Sequence, residues 1–88
     1  MQRIVKFYSD NCAPCKAMAP IWWEFIEGLN TDISAEEINI NDPQGREEAL
    51  ALGFRSVPSF AIFYEDGTVL KHSGLAGVPM LTEKLVKV

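Results

Sequence analysis

Two cysteines, Cys12 and Cys15, lie between an apolar β-branched segment and a segment with helical periodicity. This placement constrains the fold, because a strand must end just before a helix whose N-terminus holds the first sulfur. Unpaired backbone N–H groups and the helix dipole stabilise an anion there. A thiolate is the species that attacks disulfides, and the second thiol follows one helical turn later, where it can resolve a mixed disulfide. The motif therefore favours redox chemistry at a strand-to-helix turn.

Two other uses of a cysteine pair fit this chain less well. A structural zinc site needs about four ligands, and the one imidazole, His72, lies far away on a predicted strand. A disulfide across so short a loop removes little chain entropy from the unfolded state, whereas structural disulfides usually close longer loops. We therefore expect no metal site and a disulfide that is redox-active.

Composition limits the remaining function classes. The chain has 88 residues, 48% of them hydrophobic, which is enough for one domain over residues 1–88 with a modest core. Its 8 Lys and Arg against 12 Asp and Glu give a net charge of −4 without a basic run, so we expect no nucleic-acid partner. No apolar stretch is long enough for a signal peptide or a membrane span. We expect a cytoplasmic protein, and in that reducing compartment a cysteine pair is more often catalytic than structural.

Apolar periodicity and turn residues predict seven elements in the order βαβαββα. Strands are predicted over residues 3–8, 35–40, 59–64 and 69–72. Helices are predicted from Pro14 to a stop at residues 28–30, from residues 41–43 to Gly53, and over residues 78–87. This order predicts an α/β fold with a central mixed four-stranded sheet flanked by three helices.

Three side chains outside the motif carry specific expectations. Trp22 falls on the apolar stripe of the first helix and is expected in the core. Trp23 lies off that stripe; we expect core packing first, with a sheet-edge or partner-facing position as the alternative. His72 is expected to be a solvated side chain without a role.

With this element order and its cysteines on a strand-to-helix turn, the chain resembles the thioredoxin family from Ile4 to Leu85. The segment from Cys12 to Lys16 is similar to the family's Cys-Gly-Pro-Cys-Lys, with an alanine in place of glycine. Three further segments match family features: the helix kink, the cis-proline and the glycine after the hairpin correspond to Ala19-Pro20, Ser56-Val57-Pro58 and Ser73-Gly74.

The resemblance implies a thioredoxin-like fold and a monomeric thiol–disulfide oxidoreductase that needs no cofactor and reduces protein disulfides. Cys12 would be the nucleophile and Cys15 the resolving thiol. Pro58 would be cis and face the sulfurs, leaving the Val57 backbone N–H and C=O free to pair with an extended substrate segment, as in β-augmentation, with Gly74 beside it. A thioredoxin reductase or glutathione would supply the electrons.

The chain departs from the family at several positions near the motif. Asn11 and Tyr8 stand where the family has tryptophans, and Lys6 stands where family members often bury an aspartate. On the neighbouring strand, Glu37 occupies the position of a common family lysine. The exchanged charges predict a Lys6–Glu37 contact, the alternative being that both side chains reach solvent. We assign Lys6, Glu37 and Pro14 to tuning the pKa values of the two cysteines.

Two alternative functions remain open. A glutaredoxin-like, glutathione-dependent reductase would carry Cys-Pro-aromatic-Cys and a Gly-Gly-Asp stretch, but this chain has Ala-Pro between its cysteines and Gly-Leu-Ala-Gly at residues 74–77. A non-catalytic accessory subunit of another enzyme would not need the cysteines, so a double Cys12/Cys15 to Ser variant would keep its biological activity.

Overall fold

The predicted order βαβαββα is confirmed in the structure, a computed structural model that describes residues 2–29 and 32–85. The strands are β1 Gln2–Tyr8, β2 Ile33–Asn39, β3 Ser59–Phe63 and β4 Val69–Ser73. The helices are α1 Ala13–Glu27, α2 Pro43–Ala51 and α3 Val78–Leu85. The predicted helix ends at Asn30 and Lys87, and the termini of the predicted domain, lie outside the described residues.

The four strands form the predicted mixed sheet, and their order in it is β2-β1-β3-β4. β1 runs parallel to β2, with Lys6 opposite Glu37, and antiparallel to β3; β3 and β4 form an antiparallel hairpin. The crossover through α1 joins the parallel pair. β2 begins two residues earlier than predicted, because its ladder with β1 already starts at Ile33.

Side chains alternate along β1 between the two faces of the sheet. Ile4 packs with α1 and α3 in one core cluster, which also contains Trp22 and Phe60. Val5 and Phe7 pack with α2 in a second cluster on the other face. This alternation defines which face of the sheet each charged residue of β1 reaches.

Of the two expectations for the tryptophans, one is confirmed and one is wrong. Trp22 is fully buried, but the side chain of Trp23 is 60% exposed. Successive helical residues are rotated by about 100° from each other, so a residue next to the centre of the buried stripe points out of the core. His72 is half-buried: its Nε2 lies 3.2 Å from the Leu75 carbonyl oxygen, and the centroid of its ring lies 6.2 Å from that of Phe60.

Candidate redox site

Cys12 and Cys15 form a disulfide at the N-terminus of α1, with 5.1 Å between their Cα atoms. Cys12 is the N-cap, and the backbone N–H of Cys15 donates to its Sγ at 3.1 Å. Pro14 occupies the first turn, where its missing N–H leaves no helical hydrogen bond unmade. A sulfur that accepts from a helix N-terminus is stabilised as an anion, which lowers the pKa of a thiol at this position.

The segment predicted to contact substrate lies against Cys12. The Val57–Pro58 peptide bond is cis, as predicted, and the Val57 carbonyl oxygen lies 3.6 Å from Cys12 Sγ. The Gly74 N–H donates to the Pro58 carbonyl at 2.9 Å. Gly74 has a φ of +99°, in the region that favours glycine. The fold therefore places the Val57 carbonyl beside the first sulfur and joins Gly74 to the same segment through Pro58.

Lys6 is buried in the sheet and paired with a carboxylate. Its side chain is 3% exposed, and its Nζ lies 2.8 Å from Glu37 Oε1, whereas the Glu37 side chain is 39% exposed. The ammonium also lies 5.4 Å from the ring centroid of Trp22 and 5.7 Å from that of Tyr8. The predicted contact is therefore present, and the alternative in which both side chains reach solvent is wrong for Lys6.

An open cleft of about 280 Å³ connects this ion pair to the second cysteine. Its lining includes residues of β1, β2, α1 and the loop before Cys12: Lys6, Tyr8, Asp10, Cys15, Lys16 and Glu37. Cys12 does not line the cleft and contacts Val57 instead. The two sulfurs thus have different surroundings: Cys12 lies beside Val57, and Cys15 lines the cleft that Lys6 also lines.

The loop before Cys12 is held by three residues that the sequence analysis missed. Asn39 Nδ2 donates to Asp10 Oδ1 at 2.9 Å, and the Asp10 backbone N–H donates to Asn41 Oδ1 at 3.0 Å. The Asn41 N–H donates to Asn39 Oδ1 at 2.9 Å. A signal was available, because these polar residues lie at or just after the ends of two adjacent parallel strands, and the carboxyl ends of such strands lie side by side.

A second ion pair joins β1 and β2 on the opposite face of the sheet. Arg3 Nε and Nη2 each donate to a carboxylate oxygen of Glu36 at 3.0 Å, and both side chains are 41% exposed. The hydrogen bond from Arg3 lowers the pKa of Glu36, and the same bond raises the pKa of Arg3. This pair lies away from the cleft and does not contact either cysteine.

The described residues contain no group of three or more His, Cys, Asp or Glu side chains that could hold a metal ion. Within the same ranges, no helix combines the length and apolarity needed to cross a membrane.

A four-stranded mixed sheet with a Cys-x-x-Cys disulfide at the start of its first helix defines the thioredoxin-like class of redox proteins. The chain belongs to the thioredoxin family, because the family model Thioredoxin matches residues 1–87.

Comparisons with individual proteins agree with this assignment. The chain is 30% identical over 77 residues to a thioredoxin-like protein of Fusarium culmorum, covering 83% of this chain and 60% of that protein. It is 33% identical over 69 residues to Thioredoxin-1 of Schizosaccharomyces pombe, covering 78% of this chain and 63% of the relative. The chain thus spans less than two thirds of the length of these relatives. Thioredoxin f from spinach chloroplast is similar in structure, with a TM-score of 0.79, 30% identity, and coverage of 96% of this chain and 72% of that one.

Proposed function

We propose that this chain is a thioredoxin-type protein-disulfide reductase in which Cys12 is the nucleophile and Cys15 the resolving thiol. The observation that carries the proposal is the hydrogen bond of 3.1 Å from the Cys15 backbone N–H to Cys12 Sγ at the N-terminus of α1. It favours the Cys12 thiolate over the Cys15 thiolate, because only the N-cap sulfur receives this bond.

The exchange proceeds in two balanced steps. The Cys12 thiolate attacks one sulfur of the target disulfide, the target S–S bond breaks, and the other target sulfur leaves as a thiolate and takes up a proton. Cys15 then loses its proton and attacks Cys12 Sγ, which forms the protein disulfide and releases the second target thiol. Two electrons move from the dithiol to the target, so no cofactor takes part.

The neighbourhood of Cys12 supports a protein substrate held as an extended strand. The Val57 carbonyl lies next to the attacking sulfur, and Gly74 presents backbone without a side chain on the adjoining segment. An extended segment that pairs with the Val57 backbone would bring its own disulfide to Cys12. Re-reduction by a thioredoxin reductase or by glutathione is part of the proposal. The monomeric state, the cytoplasmic location and the tuning role of Pro14 stay predictions.

The reduction of insulin disulfides tests the activity and its electron donor. Two assays run in parallel, one with a thioredoxin reductase and NADPH and the other with glutathione, glutathione reductase and NADPH. Turnover in the first assay supports the proposal. Turnover only in the second assay would identify a glutaredoxin-like reductase. The absence of turnover in both assays would favour an accessory subunit.

Trapping of the mixed disulfide tests the roles of the two cysteines. The Cys15→Ser variant should accumulate a covalent complex with a disulfide-containing protein through Cys12, because the second step is removed. The matched variant Cys12→Ser should trap little, and the double variant should trap nothing. Efficient trapping by Cys12→Ser would show that the roles are reversed.

A further inference from the structure

The positive charge of the buried Lys6 ammonium is only partly neutralised inside the protein by the carboxylate of Glu37. Burial of an ion without a partner is strongly unfavourable, and Glu37 is the ion-pair partner of Lys6, with 2.8 Å between Nζ and Oε1. Lys6 is almost fully buried while Glu37 is 39% exposed, so solvent screens the carboxylate much more than the ammonium. The field that this pair produces towards the protein interior is therefore net positive.

We propose that the Lys6–Glu37 pair is a positioning element of the redox site that controls how readily Cys15 loses its proton. The ammonium favours the Cys15 thiolate and the carboxylate weakens that effect. This inference rests on the proposed function, since Cys15 must ionise before it can attack the mixed disulfide. The proton leaves to solvent through the cleft that Lys6, Glu37 and Cys15 line together.

Other ionisable groups around the cleft do not replace this effect. Asp10 and Lys16 also line the cleft, but both are exposed, and the Asp10 carboxylate accepts from Asn39. Tyr8 contacts the ammonium through its ring face, with 5.7 Å between Lys6 Nζ and the ring centroid. Among the charged groups lining the cleft, Lys6 alone is buried.

The ionisation of Cys15 can be measured directly in the full chain carrying Cys12→Ser, which has one thiol. The ultraviolet absorbance of the thiolate is followed against pH. Lys6→Met should lower the ionised fraction at a given pH below the midpoint by about three- to tenfold, and Glu37→Gln should raise it. Lys6→Arg keeps the charge and should restore most of the wild-type behaviour.

The opposite signs of the two shifts separate an electrostatic role from a structural one. Loss of packing alone would move both titration curves in the same direction or leave both unchanged, and either result would overturn the proposal. The matched controls Arg3→Met and Glu36→Gln remove the same charges from the same two strands on the far face, and should leave the Cys15 curve unshifted. Circular dichroism checks the folding of each variant; if Lys6→Met is unfolded, Glu37→Gln against Glu36→Gln still decides the question.

A second background locates the effect at the cleft. In Cys15→Ser, the Lys6→Met change should shift the Cys12 curve less than it shifts the Cys15 curve, because Cys12 does not line the cleft. A shift of the Cys12 titration curve as large as that of Cys15, or larger, would show that the pair does not act mainly on Cys15, and would refute the proposal. These titrations contain no substrate, so an inactive protein in the insulin assay would refute the proposed function without deciding this inference.

Discussion

Replacement of Gly45 by alanine is a sharp test of the packing between α2 and β2. Gly45 lies inside α2, where alanine is normally better than glycine by roughly 0.5–1 kcal/mol. In this structure a Cβ on Gly45 would collide with the Asn39 carbonyl oxygen, approach Ile38 Cγ2 to 2.7 Å and lie 3.1 Å from the Asn39 carbonyl carbon. Ordinary carbon–carbon contacts are about 3.5–4.0 Å.

The size of the expected loss in stability depends on whether the atoms near the added Cβ can move away. Two of the three are backbone atoms of β2, a strand held in the sheet by its ladder with β1, so the added methyl group cannot be accommodated by a rotamer change. Overpacking of this kind costs about 1–3 kcal/mol, and backbone contacts fall at the upper end. After the gain in helix propensity, we expect Gly45→Ala to lower the free energy of unfolding by about 2 kcal/mol, or Tm by about 10 °C.

Urea denaturation of the oxidised protein, followed by circular dichroism, measures this change. The matched control is Gly28→Ala, at the C-cap of α1, where an added Cβ would meet nothing closer than Phe25 O at 3.8 Å and φ is −91°. That variant should have wild-type stability or slightly more. If Gly45→Ala proved as stable as Gly28→Ala, the close approach of α2 to Asn39 would be refuted.

Three further substitutions test the core and the surface. Phe60→Ala should lower the free energy of unfolding by about 3–5 kcal/mol, because Phe60 is buried and packs 5.9 Å from Trp22, between ring centroids. Trp23→Gln should change it by less than about 0.5 kcal/mol, since the side chain is exposed; a core-sized loss would contradict its position. The pKa of Glu36 is lower in the folded protein than in the unfolded chain, so its ion pair with Arg3 stabilises the fold at pH values above the unfolded-state pKa. This stabilisation is lost as the pH falls through the folded-state pKa of Glu36. Both side chains are 41% exposed, so Glu36→Gln should lower the free energy of unfolding by less than about 1 kcal/mol at neutral pH. Urea denaturation at acidic pH should show no difference in the free energy of unfolding between this variant and the wild type.

Local periodicity was sufficient to predict the element order and the position of the cysteines. The apolar stripe of α1 identified Trp22 as a core residue, and the alternation in β1 required Val5 and Phe7 to share one face of the sheet. These features depend on residues close in sequence, where the spacing of side chains directly reflects their direction.

Features that depend on contacts between distant segments were harder to predict from the sequence. Burial of Lys6 contradicts the usual exposure of lysine, and only the resemblance to the thioredoxin family indicated its position. The tight approach at Gly45 depends on how α2 lies across β2, which no local pattern encodes. The network of Asp10 with Asn39 and Asn41 joins loops about thirty residues apart, so it requires knowledge of the parallel pairing.

The two ion pairs between β1 and β2 also specify how these strands align. Because side chains alternate, Arg3 and Lys6 lie on opposite faces of β1, and the neighbouring residues Glu36 and Glu37 lie on opposite faces of β2. A slip of one residue would turn Glu37 towards the apolar cluster under α2 and bring Glu36 onto the face of Lys6, so both ion pairs would be broken. The same slip would turn Ile38 out of that cluster, and Ile33 and Ala35 out of the cluster under α1 and α3. The apolar residues of β2 and the two ion pairs therefore select the same strand register, which positions the loop before Cys12.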